Sequence, residues 1–196
     1  MNFLAHLFLS HNQPELAIGN MIADFIKNKE VANYSPGIQK GIALHRMIDS
    51  YTDGHPLVRK GTKRLRPTQG KYAPVVLDIL YDHLLAKNWV AYSEESLDDF
   101  ADRHYRLLET HIDLMPKKLR KNLPGMIAGN WLVAYGWEKG IRYTLDRMDE
   151  RTRFPSAFGV AYEALEEHYE AFDLEFNAFF VEILGETKRF IFDKNE

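Results

Sequence analysis

The chain has 196 residues, of which 45% are hydrophobic and 27% are charged, and it contains no cysteine. This composition is typical of a globular protein that buries a sizeable core, and we expect a single domain over residues 1–196. The formal net charge of −3 excludes a strong overall attraction to nucleic acid, and the lack of cysteine excludes disulfides and thiolate ligands. Histidine nitrogen and carboxylate oxygen would therefore hold any metal, which favours manganese, magnesium, iron or zinc.

The first segment, "MNFLAHLFLSHNQPEL", is apolar but short, and it carries two histidines and no basic leader. It fits neither a signal peptide nor a membrane span, so we expect a cytoplasmic protein that does not associate with membranes. Apolar residues after this segment mostly recur at spacings of three and four. This spacing predicts an all-α fold, a single-domain helical bundle.

The predicted elements are helices over 14–27, 35–54, 57–67, 73–92 and 93–116, two or three shorter helices over 117–149, and a long element over 155–187. Ser35 and Ser93 are the expected N-caps of their helices, and Pro14 suits a first helical turn. The last element is rich in phenylalanine and tyrosine, which we expect to form core rather than a cofactor site.

The helix over 35–54 contains the first candidate for chemistry. His45 and Asp49 are four residues apart, so they project from one face of the helix. Asp53 adds one more turn on that face, and His55 follows where the helix should end. Taken alone, this pair favours a structural explanation, with an exposed histidine and an ion pair between Asp49 and a neighbouring basic residue.

Polar residues in apolar helices favour a metal site over the structural explanation. Asp82 and His83 are adjacent in the most apolar helix, and Asp24 and His6 interrupt other apolar segments. One shared ion explains these polar residues better than an unrelated cause for each of them would. An ion with open positions for water suits hydrolysis of a phosphate ester, with a remaining histidine or aspartate as acid or base. The chain contains no glycine-rich phosphate loop, GxSxG motif or HExxH motif.

Four blocks in the first half of the chain are "MNFLAHLFLS", "GNMIADFI", "GIALHRMIDSYTDGHP" and "YDHLLAKNW". They resemble, in the same order, the signature blocks of the acyl carrier protein phosphodiesterase family, also called acyl carrier protein hydrolase. The second half is similar mainly in length and helical character. The resemblance implies an all-helical fold related to the HD-type phosphohydrolases and dependence on Mn²⁺. The donor chemistry of the residues also allows Mg²⁺, Fe²⁺ or Zn²⁺. The resemblance also implies cleavage of the phosphodiester that joins 4′-phosphopantetheine to a serine of acyl carrier protein.

Matching the family position by position implies a set of site residues. The predicted metal ligands are Asp24, His45, Asp53, Asp82 and His83, and the predicted catalytic residues are Asp24, Asp49 and His55. Asp82 precedes His83, which reverses the usual order of the HD pair. Phe8 stands where a polar residue is expected in the first block, so His6 is left out of the predicted set.

The implied partner is small and acidic, which calls for a basic surface. Residues 59–66 and 117–122 are both basic, and the first cluster, directly after the candidate site, is the predicted docking surface. Its basic residues are Arg59, Lys60, Lys63, Arg64 and Arg66. Both clusters are also explained as solvated helix faces. No interleaved aromatic residues or known binding module accompany the first cluster, which argues against nucleic acid as the partner.

Two other functions remain open from the sequence. An HD-type hydrolase of a nucleotide or another small phosphate ester would keep the metal and change the substrate. A non-catalytic helical protein that binds an acidic partner would keep the basic surface and need no metal. Incubation with manganese and holo carrier protein separates these possibilities.

Overall fold

A computed structural model describes residues 1–150, 152 and 157–193 of the chain. The described residues form helices and contain no β-strand, which confirms the all-α prediction. The α-helices are α1 (Phe3–Phe8), α2 (Pro14–Ile22), α3 (Pro36–Gly54), α4 (Pro56–Gln69), α5 (Ala73–Lys87), α6 (Leu97–Thr110), α7 (Lys117–Ala128), α8 (Trp131–Ala134), α9 (Glu138–Asp149), α10 (Ala161–Glu167) and α11 (Tyr169–Phe192). A short 3₁₀ turn, Ala23–Phe25, directly follows α2, so the predicted first helix ends earlier than residue 27.

Side-chain caps set the first residues of α3 and α6. Ser35 accepts a hydrogen bond from the backbone N–H of Ile38 at 3.4 Å, and a proline occupies the first position of α3, as predicted. The cap of α6 differs from the prediction, because Ser96 rather than Ser93 accepts the hydrogen bond of the Asp99 backbone N–H, at 3.0 Å. The segment 117–149 contains three helices, α7 to α9, within the predicted range.

The aromatic C-terminal element forms core, as predicted. Its described part is divided at His168 into α10 and α11, and its predicted first residues, 155 and 156, lie outside the described residues. The phenylalanines of α11 that are 0% exposed are Phe172, Phe176, Phe179 and Phe180. Two of them pack against Tyr81 of α5, with ring centroids 5.2 and 5.7 Å apart. None of the described helices has both the length and the apolar character needed to cross a bilayer.

Two glycines allow α2 and α3 to cross at close range. A Cβ atom on Gly19 would collide with the backbone oxygen of Ile38 and lie 2.8 Å from the Cα of Gly41. A Cβ atom on Gly41 would lie 2.5 Å from the backbone oxygen of Leu16. Any side chain at either position would therefore push the helices apart. The close crossing brings Asn20 of α2 next to His45 of α3.

Candidate active site

Four ionisable side chains from separate segments meet beside the crossing of α2 and α3. His45 and Asp49 come from α3, His6 comes from α1, and Asp24 comes from the turn after α2. His45 Nε2 lies 3.1 Å from Asp24 Oδ1 and 3.2 Å from Asp49 Oδ2. His6 Nε2 lies 3.2 Å from Asp49 Oδ1. The structure thus brings together three residues of the predicted set and adds His6, which the prediction left out.

Asn20, a buried residue of α2, orients both histidines of this cluster. Its side-chain oxygen accepts a hydrogen bond from His6 Nδ1 at 2.7 Å, and its backbone oxygen accepts one from His45 Nδ1 at 2.9 Å. Its amide nitrogen donates to the backbone oxygen of His6 at 2.7 Å and to Ser10 Oγ at 3.2 Å. Because both Nδ1 partners are oxygen acceptors, each Nδ1 carries the hydrogen, and each Nε2 faces the carboxylates.

The sequence prediction missed Asn20, although a signal was present. Asn20 is a lone amide within the apolar stretch "LAIGNMI", and buried amides need hydrogen-bond partners in the same way as buried carboxylates. The prediction considered only residue types that bind metals directly. A search for any polar residue on the apolar face of a helix would have included it.

The charges of the four side chains depend on one another. Burial acts to lower the pKa of His45, but hydrogen bonds to Asp24 and Asp49 outweigh burial and raise this pKa to about 9. Burial acts to raise the pKa of Asp49, yet the hydrogen bond to protonated His45 holds that pKa well below its usual range. Burial lowers the pKa of His6. Without a metal, His45 is therefore a cation between two carboxylates at neutral pH, and His6 is neutral.

The metal-free protein is expected to lose stability as the pH rises from about 6.5 to about 9. The folded state binds the His45 proton more tightly than the unfolded state does. This contribution is therefore fully present below the unfolded pKa and is lost as pH rises through the folded pKa. The loss should reach up to about 3 kcal/mol in the free energy of unfolding. Urea unfolding in EDTA at several pH values measures it.

The variant His45→Gln is the control for this pH dependence, because it removes the titrating group while keeping a polar side chain. Its free energy of unfolding should change much less over the same pH window. Equal slopes for the variant and the parent protein would assign the pH dependence to other groups and contradict the charge distribution described for the cluster.

The donor atoms of the cluster fit a divalent metal ion. His6 Nε2 is buried and lies 3.2 Å from Asp49 Oδ1, but it is not aligned with that oxygen as a hydrogen bond and has no other partner. A buried nitrogen without a partner costs free energy unless a ligand compensates. One donor atom from each of His6, His45 and Asp49 lies within 4.8 Å of the others. Imidazole nitrogen with carboxylate oxygen suits manganese, iron or zinc.

Asp82 lies at the amino end of α1 instead of in the cluster. Its carboxylate accepts hydrogen bonds from the backbone N–H groups of Leu4 at 2.8 Å and of Asn2 and Ala5 at 3.2 Å each. Burial raises its pKa to about 7, against the opposing effects of the Met1 ammonium and these N–H groups. This placement differs from the predicted role as a metal ligand, because Asp82 satisfies the free N–H groups of a helix end.

His83 is also placed away from the cluster. Its Nδ1 donates a hydrogen bond to the backbone oxygen of Tyr135 at 2.6 Å, and its ring packs against Tyr162. Consecutive residues of a helix project about 100° apart, so His83 and Asp82 face different neighbours. The prediction that both hold one ion with His45 therefore differs from the observed geometry.

His55 and Asp53 lie at the carboxyl end of α3. His55 Nδ1 accepts a hydrogen bond from the Leu57 backbone N–H at 3.3 Å, and its Nε2 lies 3.2 Å from Glu182 Oε2. Asp53 is exposed, and it does not join the metal-ligand group found among the described residues. His55 thus connects α3, α4 and α11, a structural position that differs from its predicted catalytic role.

Two basic residues of the predicted docking cluster on α4 contact a buried carboxylate of α11. Arg64 donates two hydrogen bonds to the buried carboxylate of Glu175, each at 2.7 Å, and lies over the ring of Phe172. Lys60 Nζ lies 3.0 Å from the same carboxylate. Arg64 therefore joins α4 to α11 and differs from its predicted role in docking. The other basic residues of the cluster, Arg59, Lys63 and Arg66, are exposed.

A groove of about 930 Å³ reaches the cluster at Asp24. Its aromatic lining residues are Phe3, Phe25, Tyr72, Trp131, Tyr135, Tyr143 and Phe158. Lys118 of α7 and Arg147 of α9 also line it and are exposed, and Arg147 Nη1 lies 2.7 Å from Glu150 Oε2. The acidic lining residues are Asp24 and Asp78. The arrangement therefore combines carboxylates and imidazoles with an adjoining groove that can hold an extended, mostly apolar ligand.

Sequence comparison relates this arrangement to known proteins. A family model described as "Acyl carrier protein phosphodiesterase" matches residues 1–183. The chain belongs to the acyl carrier protein phosphodiesterase family. This finding confirms the resemblance predicted from the four sequence blocks.

Curated members of the acyl carrier protein phosphodiesterase family align with almost the whole chain. The protein of that name from Photorhabdus laumondii subsp. laumondii is 33% identical over 92% of this chain and 91% of the relative. The one from Yersinia enterocolitica is 31% identical over 96% of this chain and 98% of the relative. No solved structure matches the chain, so the likeness of this family member to HD-type phosphohydrolases stays a prediction.

Proposed function

We propose that this protein is a metal-dependent phosphodiesterase that hydrolyses 4′-phosphopantetheine from holo acyl carrier protein, with residues 1–196 acting as one domain. The observation that carries the proposal is the cluster of His6, Asp24, His45 and Asp49 at the end of a groove. Family membership supports the choice of substrate, because the relatives carry this activity in their names.

The cluster supplies suitable groups for phosphodiester hydrolysis. His6, His45 and Asp49 would hold a divalent cation such as Mn²⁺, whose chemistry there is polarisation of a phosphoryl oxygen and acidification of water. Asn20 holds both imidazoles with Nε2 directed inward, and this preorganisation lowers the cost of binding. In the metal-free protein the hydrogen bond to His45 lowers the pKa of Asp24. When His45 Nε2 holds the cation this hydrogen bond is absent, and the Asp24 carboxylate, which lies outside the ligand set, can accept a proton from the attacking water.

The groove gives the departing prosthetic group a place beside the reacting phosphate. A 4′-phosphopantetheine arm is long, flexible and rich in methylene groups, and aromatic walls suit such a chain. Asp24 belongs both to the groove lining and to the cluster, so a chain held in the groove would have its phosphate end near His45.

Mass spectrometry of holo carrier protein after incubation with the purified protein and MnCl₂ tests the proposal. We expect the carrier protein to lose the mass of its prosthetic group, and we expect no loss when EDTA replaces manganese. If small phosphodiesters are cleaved and holo carrier protein is not, the protein is a hydrolase of another ester. Binding of carrier protein without any cleavage at saturating metal would identify a non-catalytic binding protein.

A further inference from the structure

The basic residues nearest to the groove lie on α7, not on α4. Lys118, Asn122 and Gly125 of α7 line the groove, which matches the helical spacing of one face. On the adjacent face, which points towards the core, Leu119, Leu123 and Met126 are buried. Helix α7 therefore forms one wall of the groove.

Two further lysines extend this wall towards solvent. At about 100° per residue, Lys121 projects roughly 60° from Lys118, on the side of the groove wall that faces away from the core. Lys117 lies one turn before Lys121 on the same exposed side. Neither lysine forms an ion pair or a hydrogen bond with another described residue. Their charges are therefore available to a partner at the mouth of the groove.

The rival surface on α4 is less suited to guide a substrate into the groove. No described residue of α4 lines the groove, and Arg64 is bound to the buried Glu175. Arg59 donates to the backbone oxygen of Asp53 at 3.2 Å. A partner centred on α4 would therefore meet fewer uncommitted charges and no part of the groove lining.

We propose that the exposed face of α7, formed by Lys117, Lys118 and Lys121, is the docking surface for the carrier protein. This inference rests on the proposed function, because it takes the protein that carries the phosphodiester as the occupant. The unpaired lysines of α7 favour a partner with carboxylates around its attachment site, since charge complementarity guides association and fixes orientation. The thiol end of the prosthetic group then enters the groove, and the phosphate, which is bonded to the carrier protein, stays at the rim. Asp24 lies beside this rim, because Lys118 Nζ is 5.7 Å from the ring centroid of the neighbouring Phe25.

Charge reversal on α7 tests the docking surface. The double variant Lys117→Glu, Lys121→Glu is expected to raise the Kd for holo carrier protein by about tenfold or more at low salt, and the difference should shrink at high salt. Binding is measured by fluorescence anisotropy in EDTA, so that no turnover is needed. Both positions are exposed, and an acidic residue at the first position of α7 suits the helix dipole, so we expect normal folding.

Three control variants show whether the effect on binding is specific to α7. The double variant Arg106→Glu, Lys188→Glu changes the net charge equally on α6 and α11, outside the groove, and should leave the Kd nearly unchanged. The neutral pair Lys117→Gln, Lys121→Gln should raise the Kd less than the reversed pair. A larger effect from Lys63→Glu, Arg66→Glu on α4, or no effect from the α7 pair, would overturn the proposal.

The docking inference and the proposed function can fail separately. If the parent protein binds carrier protein through α7 but never cleaves it, docking stands and the hydrolase assignment falls. If it cleaves holo carrier protein and the α7 pair changes neither Kd nor KM, the hydrolase assignment stands and the docking surface is wrong. Parent protein that shows no binding at millimolar carrier protein would overturn the docking surface.

Discussion

The substitution Asp49→Asn is expected to lower kcat/KM for holo carrier protein by about 10³-fold, within the range of a positioned catalytic group. Among the described carboxylates, only that of Asp49 contacts both histidines, at 3.2 Å from each Nε2. An amide in its place carries no charge, and its NH₂ group would donate to an Nε2 lone pair. That hydrogen bond would occupy the atom a metal needs, so the variant should also lose bound manganese.

Mass spectrometry of the carrier protein and metal analysis of the purified variant measure these two losses. The matched control is Asp102→Asn, an exposed aspartate of α6, which should retain activity and metal. We also expect Asp53→Asn to cause a much smaller loss than Asp49→Asn, although the sequence predicted Asp53 as a ligand. An Asp49→Asn protein with near-parental turnover and a full equivalent of metal would rule out the cluster as the active centre.

The substitution Asp82→Ala is expected to lower the free energy of unfolding by about 3 kcal/mol or more, because it leaves buried backbone N–H groups without an acceptor. The carboxylate accepts from three such groups near α1, and α1 carries His6. Asp82 itself is 0% exposed, so its carboxylate is shielded from solvent. The substitution should therefore lower the stability of the fold directly, and any loss of activity should follow from that.

Urea unfolding in EDTA separates a structural role of Asp82 from a role in metal binding. If Asp82 were only a metal ligand, its removal would leave the metal-free protein equally stable or more stable, because a buried acid would be gone. We expect a large loss of stability instead, and almost none for Asp102→Asn measured in parallel. An Asp82→Ala protein that is stable in EDTA but unable to bind manganese would support the predicted role of Asp82 as a metal ligand.

Helix type and approximate position could be predicted from the sequence because they depend on local features. The proline at the start of α3 and the cap at Ser35 act within one turn, and the three-to-four spacing of apolar residues is a property of one segment. The i, i+4 pair His45 and Asp49 follows the same logic, and its shared face is confirmed by the 3.2 Å contact between the two side chains.

Partners that come from distant segments could not be predicted in the same way. A buried carboxylate needs compensation, but sequence does not show whether a metal or a helix end provides it. For Asp82 the compensating groups are backbone N–H groups about 78 residues away in the chain, which carry no sequence signature. Arg64 is similar, because its partner Glu175 lies 111 residues away on α11. Runs of charge therefore predict exposure well and interior ion pairs poorly.

The close crossing of α2 and α3 also limits which substitutions near the histidine–aspartate cluster are tolerated, in evolution and in design. Gly19 directly precedes Asn20, and Gly41 lies one turn before His45. Each glycine of the crossing is therefore close in the chain to one partner of the hydrogen bond that orients the His45 ring. A methyl group at either glycine would widen the interhelical gap and draw His45 away from the oxygen that aligns it. A homologue with a larger residue at either position, or a designed bundle that copies only the ligands, would contain the same side chains with a larger distance between α2 and α3.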